Sequence, residues 1–187
     1  MSYVKMDDQH LVNRILDGDQ RAFELLIKQH QRLVAHMIGR LIDNDEDRQE
    51  LSQDIFVKVY QKLGEFDFRS KLSTWIATIA YRHAINFLKK NKKWSEQEDI
   101  ENIDLIAERS DGIDEKSLAD YLHTYIEKLP GQYKTMLTLF HVEGMSYPEM
   151  VEITGLPEGT VKNYLFRARK KLRKMLEPVL EQESLIL

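Results

Sequence analysis

The stretch SYPEMVEITGLPEGTVKNYLFRARKKLRK, Ser146 to Lys174, constrains the fold more than any other part of the chain. It reads as a short capped helix, a tight turn and a longer two-faced helix. Ser146 with Glu149 three positions on fits a capping box, and Pro148 suits a first helical turn. Gly155 can end that helix at positive φ. From Glu158 onward Val161, Leu165, Ala168 and Leu172 form one helical stripe. Lys162, Asn163, Arg167, Lys170, Lys171 and Lys174 occupy the opposite face. This is the anatomy of a helix-turn-helix, whose second helix enters the DNA major groove.

A plain surface hairpin is the alternative, because cationic faces are often only solvated. A solvated helix, however, usually mixes signs to gain i,i+4 pairs. From Pro157 to Lys174 there are seven basic residues against the one acid Glu158, a net of plus six. Nucleic acid is the better partner for such a face.

Composition narrows the class. The 187 residues allow one domain or two small ones. The absence of Cys removes disulfides and thiolate metal sites. No apolar run of about 18 residues occurs, and MSYVKMDDQH lacks a signal-peptide core, so a cytoplasmic protein without membrane insertion is expected. Four Pro, eight Gly and long periodic segments point to an all-α fold. His30 and His83 read as packing or edge residues. No metal-ligand constellation is apparent, and neither metal nor cofactor is expected. The formal net charge of −4 argues against a free-standing DNA binder, but that charge is segregated.

Four helices are expected in a first lobe, residues 1–94: near Asp8–Leu16, after Asp19, about Asp45–Leu63, and from Ser73 to a KKNKK end. The inward stripe of the fourth is read as Leu72, Trp75, Ile76, Ile79, His83 and Phe87. Residues 95–115 hold nine acids against Arg109, a net of minus eight, and fit a flexible linker. The preceding Tyr81–Trp94 carries five cations and no acid, so two basic lobes flank an acidic tether. The second lobe, 116–187, opens with a helix to about Leu129, breaks at Pro130-Gly131, and resumes over Gln132–Glu143. Tyr133, Met136, Leu137 and Phe140 would cover its terminal helices.

The junction GEFDFRSKLSTW interleaves Phe66, Phe68 and Trp75 with Arg69, Ser70, Lys71, Ser73 and Thr74. Exposed rings stack on unpaired bases while cations meet phosphates, and an extruded base needs such a pocket. Phe66 and Trp75 read as core.

ELSQDIFVKVYQKLGEF, FRSKLSTWIATIAYRHAINFLKK and KLPGQYKTMLTLFHVEGMSYPEMVEITGLPEGTVKNYLFRARKKLRK, in that order, resemble a bacterial RNA polymerase sigma factor of the extracytoplasmic-function group (sigma-70 family). The resemblance implies a first lobe like sigma region 2, with Gln53, Asp54 and Val57 on the clamp helices of the largest polymerase subunit. It implies minus-10 binding and melting by Arg82, Asn86, Lys89 and Lys90, with Phe68, Arg69, Ser70 and Lys71 around a flipped base. The second lobe would resemble region 4, meeting the flap of the second-largest subunit and the minus-35 element. There Lys162, Asn163, Phe166 and Arg167 match reading positions, whereas Arg169, Lys170, Lys171 and Arg173 would hold phosphates. The family further implies an anti-sigma partner. Arg82 stands where the family commonly has Asn, and Tyr164 where a basic residue is common, so no promoter sequence carries over.

No glycine-rich phosphate loop, HExxH or nucleophile elbow is present, so an enzyme is not expected. A self-sufficient dimeric operator binder and a DNA-free sequestering module remain as rivals. Neither needs a helix-turn-helix paired with an aromatic-basic loop for single strands.

Overall fold

The computed structural model describes residues 7–91 and 124–184, with side chains to residue 177. The tether 95–115 and the start of the following helix lie outside the described residues, as do Lys92, Lys93 and Trp94. Among the described residues every regular element is helical.

In the first lobe α1 spans Asp8–Leu16, α2 Gln20–Gly39, α3 Asp45–Lys62 and α4 Leu72–Lys90, with a 3₁₀ turn at Leu63–Glu65. Their starts are written in short polar residues. Asp19 accepts from the Ala22 N–H at 3.1 Å and Asn44 from the Asp47 N–H at 2.8 Å. Asp45, Glu46 and Asp47 then place negative charge on the positive end of α3. Helix α4 has no cap from its own leading residue, and the Asp8 carboxylate of α1 accepts the Leu72 N–H instead, at 3.2 Å.

The second lobe contains a helical end at 124–127, α5 (Gly131–Leu137) running into a π-helical turn at Thr138–Val142, α6 (Tyr147–Thr154) and α7 (Glu158–Ser184). The capping box forms as read: the Ser146 N–H and hydroxyl both donate to Glu149 Oε2, at 2.8 and 2.7 Å. Gly155 ends α6 at φ 72°, a left-handed conformation that costs a side-chain-bearing residue about 1–2 kcal/mol. Val161, Leu165 and Ala168 are buried, and Leu172 packs against the core from its edge.

Sequence periodicity placed the stripe of α4 on one side only, and the structure buries more. Leu72 and Ile76 are inside as read, but so are Ala77, Ala80, Tyr81, Ala84 and Leu88, whereas Trp75, Ile79 and Phe87 are only partly covered. The cause is that α4 packs against α2 and α3 and also against α6 of the second lobe. Small alanines let the helices approach, and one continuous core runs from Leu11 to Ala168. The two lobes, whose relative placement the sequence leaves open, are packed together.

Candidate nucleic-acid interface

Helix α7 exposes Lys162, Asn163, Phe166, Arg167 and Lys170. Phe166 is 65% exposed, unusual for a large apolar side chain. Lys162 pairs with Glu158 at 2.6 Å and sits over the Tyr147 ring at 5.3 Å, and Glu158 raises its pKa. Tyr164 turns inward, edge-on to Tyr133 at 5.8 Å. Arg167 lies near the buried Tyr133 hydroxyl, whose pKa burial raises and the guanidinium partly lowers. Arg169 lies over Phe140 at 5.1 Å and donates to His141 Nε2 at 3.3 Å. Lys171 is half-buried and Arg173 exposed.

On α4, Arg82, Asn86, Lys89 and Lys90 are all exposed, at spacings that align them along one face. Of the aromatics before it, Phe66 is buried as read, Trp75 is only half-buried, and Phe68 is 42% exposed. The Phe68 ring leans on Phe66 at 4.7 Å, and Phe66 on Trp75 at 5.4 Å. Arg69, 88% exposed, is steadied by Asp67 at 3.0 Å. An outward ring, an exposed guanidinium paired with Asp67 and a hydroxyl therefore meet at one loop, a combination suited to an unpaired base and its phosphate.

Ser70 and Lys71 also bond to the second lobe. The Ser70 hydroxyl donates to Glu152 Oε1 at 2.8 Å, and Lys71 Nζ pairs with Glu149 Oε1 at 2.9 Å, both acids lying on α6. Thr74 also donates to Glu149, at 3.4 Å. Lys71 is the main cause holding the Glu149 carboxyl down at about 2; burial works the other way, and the Ser146 bonds assist. A second set of bonds joins the lobes: His36 Nδ1 to Glu143 at 2.5 Å, Arg40 to Thr138 at 3.0 Å, and Arg40 to Glu127. Sequence reading saw Glu149 only as a cap and missed the other acids. Their one signal was a pair of acids, i and i+3 on a short helix, in a chain whose loop partners are cationic.

In the first lobe Gln53, Asp54 and Val57 are exposed together on α3, Val57 by 55%. Exposed Tyr60 extends this surface, and it packs edge-on against Phe23 at 4.9 Å. Among the described residues no cluster of three metal-ligating side chains occurs, and no helix is long and apolar enough to cross a membrane.

Residues 26–94 match the family model for sigma-70 region 2, and residues 119–172 that for sigma-70 region 4. Among curated proteins the chain is 33% identical to the RNA polymerase sigma-H factor of Pseudomonas aeruginosa, covering 94% of this chain and 96% of that one. It is 32% identical to the ECF RNA polymerase sigma-E factor of Haemophilus influenzae (94% and 98% covered) and 30% identical to that of Escherichia coli (95% and 98%). The fold resembles that of CnrH, solved in complex with the cytosolic domain of CnrY, with TM-score 0.63, 21% identity, and 91% and 97% of the two chains covered. It also resembles the sigma factor RpoE of Bartonella quintana, solved with the anti-sigma factor NepR, with TM-score 0.63, 21% identity, and 83% and 96% covered. With two region models in order and relatives matched over nearly their whole length, the chain belongs to the extracytoplasmic-function group of RNA polymerase sigma factors.

Proposed function

We propose that this sigma factor directs core RNA polymerase to promoters by holding two DNA elements with two lobes. In this reading 1–94 binds core polymerase and the minus-10 element, 95–115 is the linker, and 116–187 binds the minus-35 element. The observation that carries it is the coexistence, on one acidic chain, of an exposed reading face on α7 and an aromatic-cation loop ahead of α4.

Lys162 and Arg167 would meet guanine edges, Asn163 adenine, and Phe166 the thymine methyl, while Arg169, Lys170, Lys171 and Arg173 hold phosphates. Phe68 stacks on a base drawn out of the duplex, with Arg69, Ser70 and Lys71 around it. Arg82, Asn86, Lys89 and Lys90 follow the adjoining strand. Gln53, Asp54 and Val57 dock on the clamp helices of the largest polymerase subunit, and the second lobe on the flap of the second-largest. An anti-sigma partner belongs to the proposal, supported by the complex in which the similar RpoE was solved. The factor performs no catalysis of its own in this scheme.

Fluorescence anisotropy on promoter duplex tests the reading. Tight specific binding is expected only with core polymerase present, together with templated transcript starts. Tight, specific binding by the isolated chain would overturn it in favour of a self-sufficient operator binder.

A further inference from the structure

Tyr133 of α5 is 1% exposed, and its hydroxyl oxygen takes no hydrogen bond among the described residues. A phenylalanine would fill the same space without that cost, because a buried hydroxyl left unpaired has lost its water and gained nothing in return. The oxygen, rather than the ring, is what packing leaves unexplained. We infer that Tyr133 is a positioning residue for Arg167: its hydroxyl is a fixed acceptor that the inner edge of the guanidinium takes up as the outer edge meets a base. This rests on the minus-35 assignment proposed above and deepens it.

Placement is the first support. Tyr164 stands one turn before Arg167 on the same side of α7, and its ring meets the Tyr133 ring edge-on at 5.8 Å. Tyr133 therefore packs against the strip of α7 from which Arg167 rises. Leu165 and Ala168, buried beside that strip, are apolar and offer the oxygen no donor. The second support is electrostatic. Arg167 is exposed, and its guanidinium lies near the oxygen without a formed bond. Burial raises the pKa of the hydroxyl, and Arg167 is the main influence lowering it. The third support is the number of donors. A guanidinium carries five N–H groups in a rigid fork, and two suffice for the O6 and N7 acceptors of guanine, which leaves others for a phenol oxygen. An arginine gives up much rotamer freedom when it settles on a base. An acceptor anchored in the core selects in advance the rotamers that aim the outer edge into the groove. Without it the fork is free to turn to a phosphate, which holds DNA but does not discriminate. Tyr133 thus acts on base choice more than on grip.

Tyr133→Phe in the full chain tests this, since it removes one oxygen and keeps the ring. Reconstituted holoenzyme is titrated by anisotropy against promoter duplexes carrying each base in turn at every minus-35 position, and the free chain is unfolded in urea. Discrimination should fall about two- to tenfold, the net worth of one hydrogen bond, at the single position where Arg167→Ala also acts. Other positions should be unchanged, and stability equal or higher. On an Arg167→Ala background, Tyr133→Phe should add nothing at that position. Full discrimination in Tyr133→Phe beside a loss in Arg167→Ala overturns the positioning role and leaves the minus-35 reading standing. An even loss at every position, with or without lower stability, makes the hydroxyl a packing element and overturns the role too. If Arg167→Ala itself changes no single position, the minus-35 reading of Arg167 falls and the role of Tyr133 falls with it.

Discussion

Glu149 serves two structures through its two oxygens, and substitution can separate them. Oε2 accepts from the Ser146 N–H and hydroxyl and starts α6; Oε1 accepts from Lys71 and Thr74 and ties α6 to the first lobe. Glu149→Ala loses both roles, whereas Glu149→Gln keeps the capping-box amide and loses the ion pair. Losing the cap costs about 1 kcal/mol. A carboxyl held at about 2 instead of 4.5 corresponds to ~3 kcal/mol at face value. Lys71 is 70% exposed, however, so water screens the pair and about 1 kcal/mol is the better figure. At pH 7 the Ala variant should lose about 2 kcal/mol and the Gln variant about 1, read by urea unfolding followed by far-UV circular dichroism. Because the folded carboxyl titrates low, its contribution is complete above pH 4.5 and is lost as pH falls through about 2. The difference between parent and Gln variant should therefore shrink steadily across that window. Equal losses for Ala and Gln at pH 7 would refute the separate cap. A difference that stays constant on acidification would refute the ion pair.

Gly155→Ala puts a methyl on a left-handed residue at φ 72° and should lower stability by about 1 kcal/mol in thermal unfolding. In holoenzyme, Arg167→Ala should cost about 1–3 kcal/mol at one minus-35 position, while Lys171→Ala weakens all promoters evenly, as measured by anisotropy on a set of single-base variants. Equal, sequence-independent losses for the two would refute their division into reading and phosphate contacts. Val57→Asp should shift stability by less than about 0.5 kcal/mol, since the side chain is 55% exposed, yet weaken association with core polymerase in a pull-down titration.

Local signals carried most of the fold. The Ser146–Glu149 box, Gly155 and the Val161, Leu165, Ala168 stripe act within a few residues of one another, so one helix-turn-helix fits them. Asp19 announced α2 in the same way, while the Asn44 cap of α3 went unread. The candidate face of α7 was legible because helical periodicity turns Lys162, Asn163 and Arg167 outward together; Phe166 joined them through the family resemblance. What stayed hidden joins residues far apart in the chain. Glu149 meets Lys71, Glu143 meets His36, and Asp8 caps α4, none of which any periodicity encodes. The burial of Ala77, Ala80 and Ala84 was missed for the same reason: alanine suits a solvent face equally well until a second helix arrives.

Phe68 holds φ at 59°, a backbone state natural to glycine and uncomfortable for a bulky aromatic. A chain shaped for durability alone would put glycine there and be easier to fold. The benzyl group kept in spite of that discomfort juts from a loop whose lower end is riveted to the amino-terminal helix through Asp8. On the proposed reading, Phe68 would be a peg set in place before any nucleotide arrives, leaving little ordering to be done when a base stacks on it.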